Sequence, residues 1–203
     1  MREKFKHMSV TNPVIIGISG ASGSIMARET VNELLHRDIP TVVVCSNSAR
    51  LVWQEELEQP FSSMLSEWRE HPLFQDYGIG DVGAPIASGT FKTRGMAIVP
   101  SSMNTVASVA HGLSGNLLLR AADVSLKEGR KVVMVPRETP LHSIHLENLL
   151  TLSRAGVVIL PPEPAFYLKP RGIDELVSFM VNRVLVALGI SDDLPTELRY
   201  SGD

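Results

Sequence analysis

Cysteine is nearly absent: Cys45 is the single one in 203 residues. No intramolecular disulfide can form, no cysteine-based metal cluster can be built, and a reducing compartment is the expectation. Cys45 ends the apolar run Thr41-Val42-Val43-Val44-Cys45, where a buried strand thiol is expected rather than a nucleophile. Excess charge of one sign is also missing. The net charge is -3, with Lys and Arg spread along the chain, which excludes a basic face for nucleic acid or membrane. No apolar run approaches the roughly 20 residues needed to span a bilayer. The stretch 1–12 carries Arg2, Lys4 and Lys6 but lacks the apolar centre of a signal peptide. A cytoplasmic protein with a flexible tail over 1–12 is therefore expected. Repeats, linkers and low-complexity tracts are missing too, which places the chemistry on one domain, 13–190, followed by a C-terminal tail, 191–203.

What is present is a chain able to bury a core, 44% hydrophobic and 20% charged. Short Val/Ile-rich runs at 14–18, 41–45, 97–99, 131–135 and 157–160 alternate with segments of helical period at 24–36, 49–58, 103–110, 117–127, 145–155 and 173–188. That alternation predicts a single α/β domain of three layers, with a mostly parallel sheet covered on both faces. Gly112, Gly129 and Gly156 follow three of the helices as stops. In the last helix Leu176, Val177, Met180, Val181, Val184, Leu185 and Leu188 form one apolar stripe. The stretch 58–93 is broken by seven glycines and prolines and reads as the least regular region, its Phe61, Trp68 and Phe74, with Trp53 just before it, packing over the sheet or a site.

In such folds ligands bind at the carboxyl ends of the strands. The first end reads Gly17-Ile18-Ser19-Gly20-Ala21-Ser22-Gly23 before a helix. Its glycines admit a phosphate, and the helix N-terminus is expected to offer unpaired N–H groups to it. Three familiar phosphate and nucleophile motifs fail on position. A dinucleotide fingerprint needs Gly where Ser19 stands and an acidic residue after the second strand, which ends Ser46-Asn47-Ser48. A P-loop needs Gly-Lys-Ser/Thr, absent from Gly23-Ser24-Ile25, and neither Ser19 nor Ser22 sits in Gly-x-Ser-x-Gly. A mononucleotide phosphate held by small polar residues remains. Pro100-Ser101-Ser102-Met103-Asn104-Thr105 repeats the theme, as N-caps or as a shared site. Arg137-Glu138 after the fourth strand reads as a surface ion pair, or as an Arg for phosphate beside a Glu for proton transfer. Arg120, Asp123 and Lys127 share one helix side, and Pro161-Pro162-Glu163-Pro164-Ala165-Phe166-Tyr167 is a stiff covering loop. His142 and His145 lie a turn apart, but no third ligand accompanies them, so no metal is assigned.

Taken together, Gly20-Ala21-Ser22-Gly23, Ser102-Met103-Asn104-Thr105, Asn116-Leu117, Arg120-Ala121-Ala122-Asp123-Val124, Lys127-Glu128, Arg137-Glu138-Thr139-Pro140, His145-Leu146-Glu147-Asn148 and Pro164-Ala165-Phe166-Tyr167 are similar in order and spacing to the UbiX-type flavin prenyltransferases. The resemblance runs from Val14 to about Ile190. It implies a Rossmann-like flavoprotein fold and a homo-oligomer, a dodecamer in the family. It also implies transfer of a dimethylallyl group from dimethylallyl monophosphate to N5 and C6 of reduced FMN, without a metal. The prenylated FMN would serve UbiD-type decarboxylases, as in ubiquinone biosynthesis. An FMN-dependent cysteinyl decarboxylase and a non-catalytic FMN-binding regulatory subunit are the other classes; the Arg137-Glu138 pair and the run from Arg120 to Lys127 set prenyl transfer first.

Carried over by resemblance, Gly20, Ala21, Ser22, Ser46, Ser102, Met103, Asn104, Thr105 and Arg137 match FMN-binding positions. Arg120, Lys127, Tyr167 and Arg183 match those at the prenyl phosphate, partly across a subunit boundary. Ser22, Glu56, Lys127 and Glu138 are the implied catalytic set, with Glu55 the neighbour that competes with Glu56 on spacing. Some relatives carry a tryptophan where this chain has Val82.

Overall fold

The computed structural model describes residues 12–200. The expected tail 1–12 therefore lies, except for Asn12, outside the described residues. Six strands form one sheet in the order β3-β2-β1-β4-β5-β6: β1 (Val14–Ile18), β2 (Thr41–Cys45), β3 (Phe74–Tyr77), β4 (Gly95–Ser101), β5 (Val132–Pro136) and β6 (Val158–Ile159). Every pairing is parallel. Seven helices join them: α1 (Ser24–His36), α2 (Asn47–Glu56), α3 (Phe61–Glu70), α4 (Met103–Ala110), α5 (Leu117–Lys127), α6 (Ser143–Arg154) and α7 (Ile173–Leu188).

The sheet separates two cores. Alternate strand residues Val14, Ile16, Ile18, Val43, Cys45, Ala97 and Val99 face α1, α2, α3 and α7, whereas Ile15, Val42, Val44, Met96 and Ile98 face α4, α5 and α6. Strands buried on both faces have no polar side to alternate, which is why they read as continuous apolar runs. Gly112, Gly129 and Gly156 stand at positive φ after α4, α5 and α6, as their positions predicted.

The region 58–93 departs from the expectation, for it holds α3 and β3. Its glycines and prolines fall between those elements and after them. Phe61, Met64, Leu65 and Trp68 bury one face of α3. Trp53 lies edge-on to Phe61 at 5.1 Å and to Trp68 at 5.9 Å between ring centroids, with Phe74 5.6 Å beyond Trp68. The four aromatics thus seat α2 and α3 in the core. Trp53 Nε1 donates to the Gln59 carbonyl and Trp68 Nε1 to Asn32 Oδ1, so neither indole is buried unpaired.

Candidate functional site

Strand order reverses between β1 and β4: the chain steps outward from β1 to β2 and β3, and from β4 to β5 and β6. The helices that follow these two strands cross to opposite faces, leaving a crevice at their carboxyl ends. Backbone bonds stitch its rim. Ser46 N–H donates to the Ile18 carbonyl at 2.9 Å, Ser19 N–H to Pro100 at 3.3 Å, and Arg137 N–H to Ser101 at 3.2 Å. Ser19, only 2% exposed, adds a side-chain link between β1 and β4. Its Oγ donates to the Pro100 carbonyl at 3.0 Å and accepts the Ser102 N–H at 2.8 Å.

Three helices begin at this crevice with side-chain caps. Ser46 Oγ accepts the Ala49 N–H at 3.1 Å, Ser102 Oγ the Thr105 N–H at 3.3 Å, and Asn116 Oδ1 the Leu119 N–H at 3.0 Å. All three caps, with Ser48, Asn104 and Thr105, line one cavity of about 140 Å³. No ionisable side chain lines it. The N-termini of α2, α4 and α5 thus converge on a space lined by hydroxyls and amides together with Ile79, Leu118 and Leu119, where each helix end favours negative charge by ~0.3 to 1 kcal/mol.

The N-terminus of α1 differs from the expectation. Its N–H groups are not free: both Glu56 oxygens accept the Gly23 N–H at 3.0 Å, and Oε2 accepts the Ser24 N–H at 2.7 Å. Partial burial pushes the Glu56 carboxyl up, but hydrogen bonds from the Ser22 hydroxyl and from Ser24 and Gly23 outweigh it and hold the group below its ordinary value. Gly23 makes the approach possible. At φ 116° it turns the chain into α1 in a conformation disfavoured for L side chains, and a Cβ there would stand 2.4 Å from Met26 Cε. Ser22 and Glu56, 34 positions apart, are thereby brought together.

Arg137 and Glu138 follow β5 and are both exposed. Glu138 Oε1 accepts the Thr139 N–H at 3.0 Å, so the carboxylate turns back on its own loop. The two residues line a second cavity, about 360 Å³, whose other walls include Leu141, Leu149, Pro161 and Pro162. Glu163 lines it too, so one guanidinium and two carboxylates share a largely apolar pocket.

The remaining sequence-derived residues are not gathered at this crevice within one chain. Arg120 pairs with Asp123 at 2.7 Å and donates to the Ala87 carbonyl at 3.2 Å. Lys127 pairs with Glu128. It ends α5 at the edge where β5 begins, while Glu138 follows the edge where β5 ends; the five residues of strand between them span about 16 Å. Arg183 is exposed on α7, across the sheet from α5. Tyr167 is half exposed, its ring edge-on to Tyr200 at 5.6 Å. His142 and His145 stack at 3.5 Å, and among the described residues no group of three or more His, Cys, Asp and Glu is placed to hold a metal. Ser19, Ser48 and Asn116 belong to the crevice without having been assigned to it. For Asn116 the signal was available, an Asn directly before an apolar periodic segment.

Residues 2–185 match the flavoprotein family. The chain is 44% identical over 203 residues to the flavin prenyltransferase UbiX of Synechocystis sp., covering 95% of this chain and 98% of that protein. The chain belongs to the flavin prenyltransferases. Its fold matches a crystal structure of AnUbiX in complex with FMN and dimethylallyl pyrophosphate, with a TM-score of 0.87, 35% identity, and coverage of 96% of this chain and 100% of the other. A dodecameric FMN-dependent UbiX-like decarboxylase from Escherichia coli O157:H7 gives a TM-score of 0.86 at 38% identity, covering 94% and 100%. The peptidyl-cysteine decarboxylase EpiD shares the fold alone, at 16% identity and a TM-score of 0.56 over 76% of this chain and 88% of that one. As a flavin prenyltransferase the chain is a transferase of the Rossmann-like flavoprotein fold. Among the described residues no helix is long and apolar enough to cross a membrane.

Proposed function

We propose that this chain joins a dimethylallyl group from dimethylallyl monophosphate to reduced FMN and delivers the prenylated flavin to a UbiD-type decarboxylase. It works in the cytoplasm as a homo-oligomer, the dodecamer of its E. coli relative being the expected form. One observation carries the reading: three capped helix N-termini meet at one small cavity lined by hydroxyl and amide side chains. The cavity fits the FMN phosphate chemically, since its walls donate hydrogen bonds and hold no carboxylate to repel a dianion. It also fits in size. At about 140 Å³ it is well below the ~300 to 1,000 Å³ of sites that enclose a whole drug-sized ligand, which would suit the phosphate rather than the whole flavin.

Reduced FMN, when bound, supplies N5 and C6 as the positions that take the prenyl carbons. The residues do the rest. Gly20, Ala21, Ser22, Ser46, Ser102, Met103, Asn104 and Thr105 hold the flavin, with Arg137 at its anionic groups. Ser22 and Glu56 form a hydroxyl–carboxylate pair able to hold or pass a proton at the flavin edge. Glu138, beside the second cavity, would serve proton transfer after the first bond forms: ring closure consumes the dimethylallyl double bond, which takes up one proton, while one proton is lost from the ring carbon that gains the second bond. The departing phosphate takes the electrons of the broken carbon–oxygen bond. Arg120, Lys127, Tyr167 and Arg183 stabilise that growing charge. Because Lys127 lies before the start of β5 and Glu138 past its end, about 16 Å of strand apart, the proposed active site draws on more than one copy of the chain.

The test is to mix the protein anaerobically with reduced FMN and dimethylallyl monophosphate and to follow the flavin by mass spectrometry. Prenylated FMN is the expected product, and its absence would sink the proposal. A parallel reaction with the diphosphate decides the donor.

A further inference from the structure

We propose that Ser48 is a phosphate-binding residue of the flavin site. The proposal rests on the FMN reading above, and Ser48 lies outside the set of FMN residues that the family resemblance carries. Ser48 stands in the first turn of α2, two residues beyond the cap Ser46, and its residue surface is exposed. Its Oγ lies 3.1 Å from Ser46 Oγ. Both hydroxyls line the 140 Å³ cavity, together with Ser102, Thr105 and Asn116 from the other two helix starts.

The turn after β1 is built around this side chain. A Cβ added at Gly20 would stand 2.4 Å from Ser48 Oγ and 2.6 Å from Ser48 Cβ. Contacts that short do not occur, so the bare backbone of Gly20 leaves the room that Ser48 fills. The hydroxyl is thus fixed between the β1 turn and the cavity. Ser46 and Ser102 already spend lone pairs on capping N–H groups, yet a hydroxyl that accepts one bond keeps its own proton to donate. Ser48 Oγ pairs instead with Ser46 Oγ, and either atom of that pair can be the donor. When a phosphate oxygen enters, both protons can turn to it. With no Lys or Arg among the lining residues, hydroxyl donors and helix ends must hold the dianion, so each donor counts.

The alternative role is packing alone, with Ser48 serving only to fill the space over Gly20. Riboflavin, which has the same rings and ribityl chain without the phosphate, separates the two. Dissociation constants for FMN and riboflavin are measured by flavin fluorescence on the full chain, wild type and Ser48→Ala. Ser48→Ala is expected to weaken FMN by roughly 10- to 100-fold, the loss of one hydrogen bond to a charged group, while riboflavin binding stays within about 2-fold. Ser48→Asp is expected to abolish FMN binding and keep riboflavin. Retained riboflavin binding also shows that each variant is folded. Unchanged FMN affinity in Ser48→Ala, or an equal loss for both ligands, overturns the proposal while leaving the FMN reading intact. A wild-type protein that does not prefer FMN to riboflavin overturns that reading and the assignment of Ser48 with it.

Discussion

The Glu56 carboxylate accepts the Ser24 backbone N–H at 2.7 Å, so the last residue of α2 caps the first turn of α1. Removing it leaves two helix donors to water or to nothing. Glu56→Ala is expected to lower stability by about 1 to 2 kcal/mol in urea denaturation, and Glu56→Gln by less, since an amide oxygen still accepts.

The same carboxylate gives a pH signature. Its folded-state value is held below the ordinary 4.5, so its stabilisation is complete above that value and drains away as the pH falls below it, through the depressed folded value. Wild type and Glu56→Gln compared from pH 7 to pH 3 should converge in denaturation midpoint at the acid end. Parallel curves would remove the carboxylate from the account.

Gly20→Ala forces a methyl onto Ser48. A destabilisation of about 1 to 3 kcal/mol is expected from such overpacking. Ser48→Gly in the same chain should restore part of it, because most of the clash is with the side chain; the Ser48 backbone carbon at 3.2 Å leaves a residue of strain. A double-mutant cycle reads the coupling.

Lys127 and Glu138 lie beyond opposite ends of β5. If one site takes Lys127 from one copy and Glu138 from another, Lys127→Ala and Glu138→Gln subunits are each inactive alone but rebuild some intact sites when unfolded together and reassembled. Recovered prenylation in the mixture is the expected result. Glu138→Gln alone should cut the rate by roughly 10²- to 10⁴-fold with FMN affinity unchanged.

Cys45 is 3% exposed, and burial pushes its thiol up to about 12 against the opposing pull of Arg50. It is protonated throughout the physiological range. A thiol reagent at pH 8 should leave the native protein unlabelled and modify one equivalent after denaturation.

Much of this architecture is legible in the sequence because strands buried on both faces must be apolar throughout. β1 and α1 fall at their expected bounds, as do β2 and α5. β3 was invisible for the complementary reason: an edge strand reading Phe-Gln-Asp-Tyr, mostly half-buried, carries no Val/Ile run. α3 hid among breakers that flank it without entering it. α2 begins two residues earlier than its apolar period suggests, because Ser46 caps it. At the site, the small polar residues at three strand ends were readable one strand at a time. The capture of the α1 N-terminus by Glu56 was not, since it joins residues more than 30 positions apart through a contact that only the packing of α2 creates.

The buried Ser19 hydroxyl, tied to Pro100 on one side and Ser102 on the other, fixes the gap between the two diverging halves of the sheet before any ligand arrives. On the proposed reading, a flavin entering that gap would meet a mould rather than a set of loops awaiting order. Most of the entropy of shaping the pocket was spent when the chain folded, so association is expected to be quick and the empty and filled forms to differ little in shape.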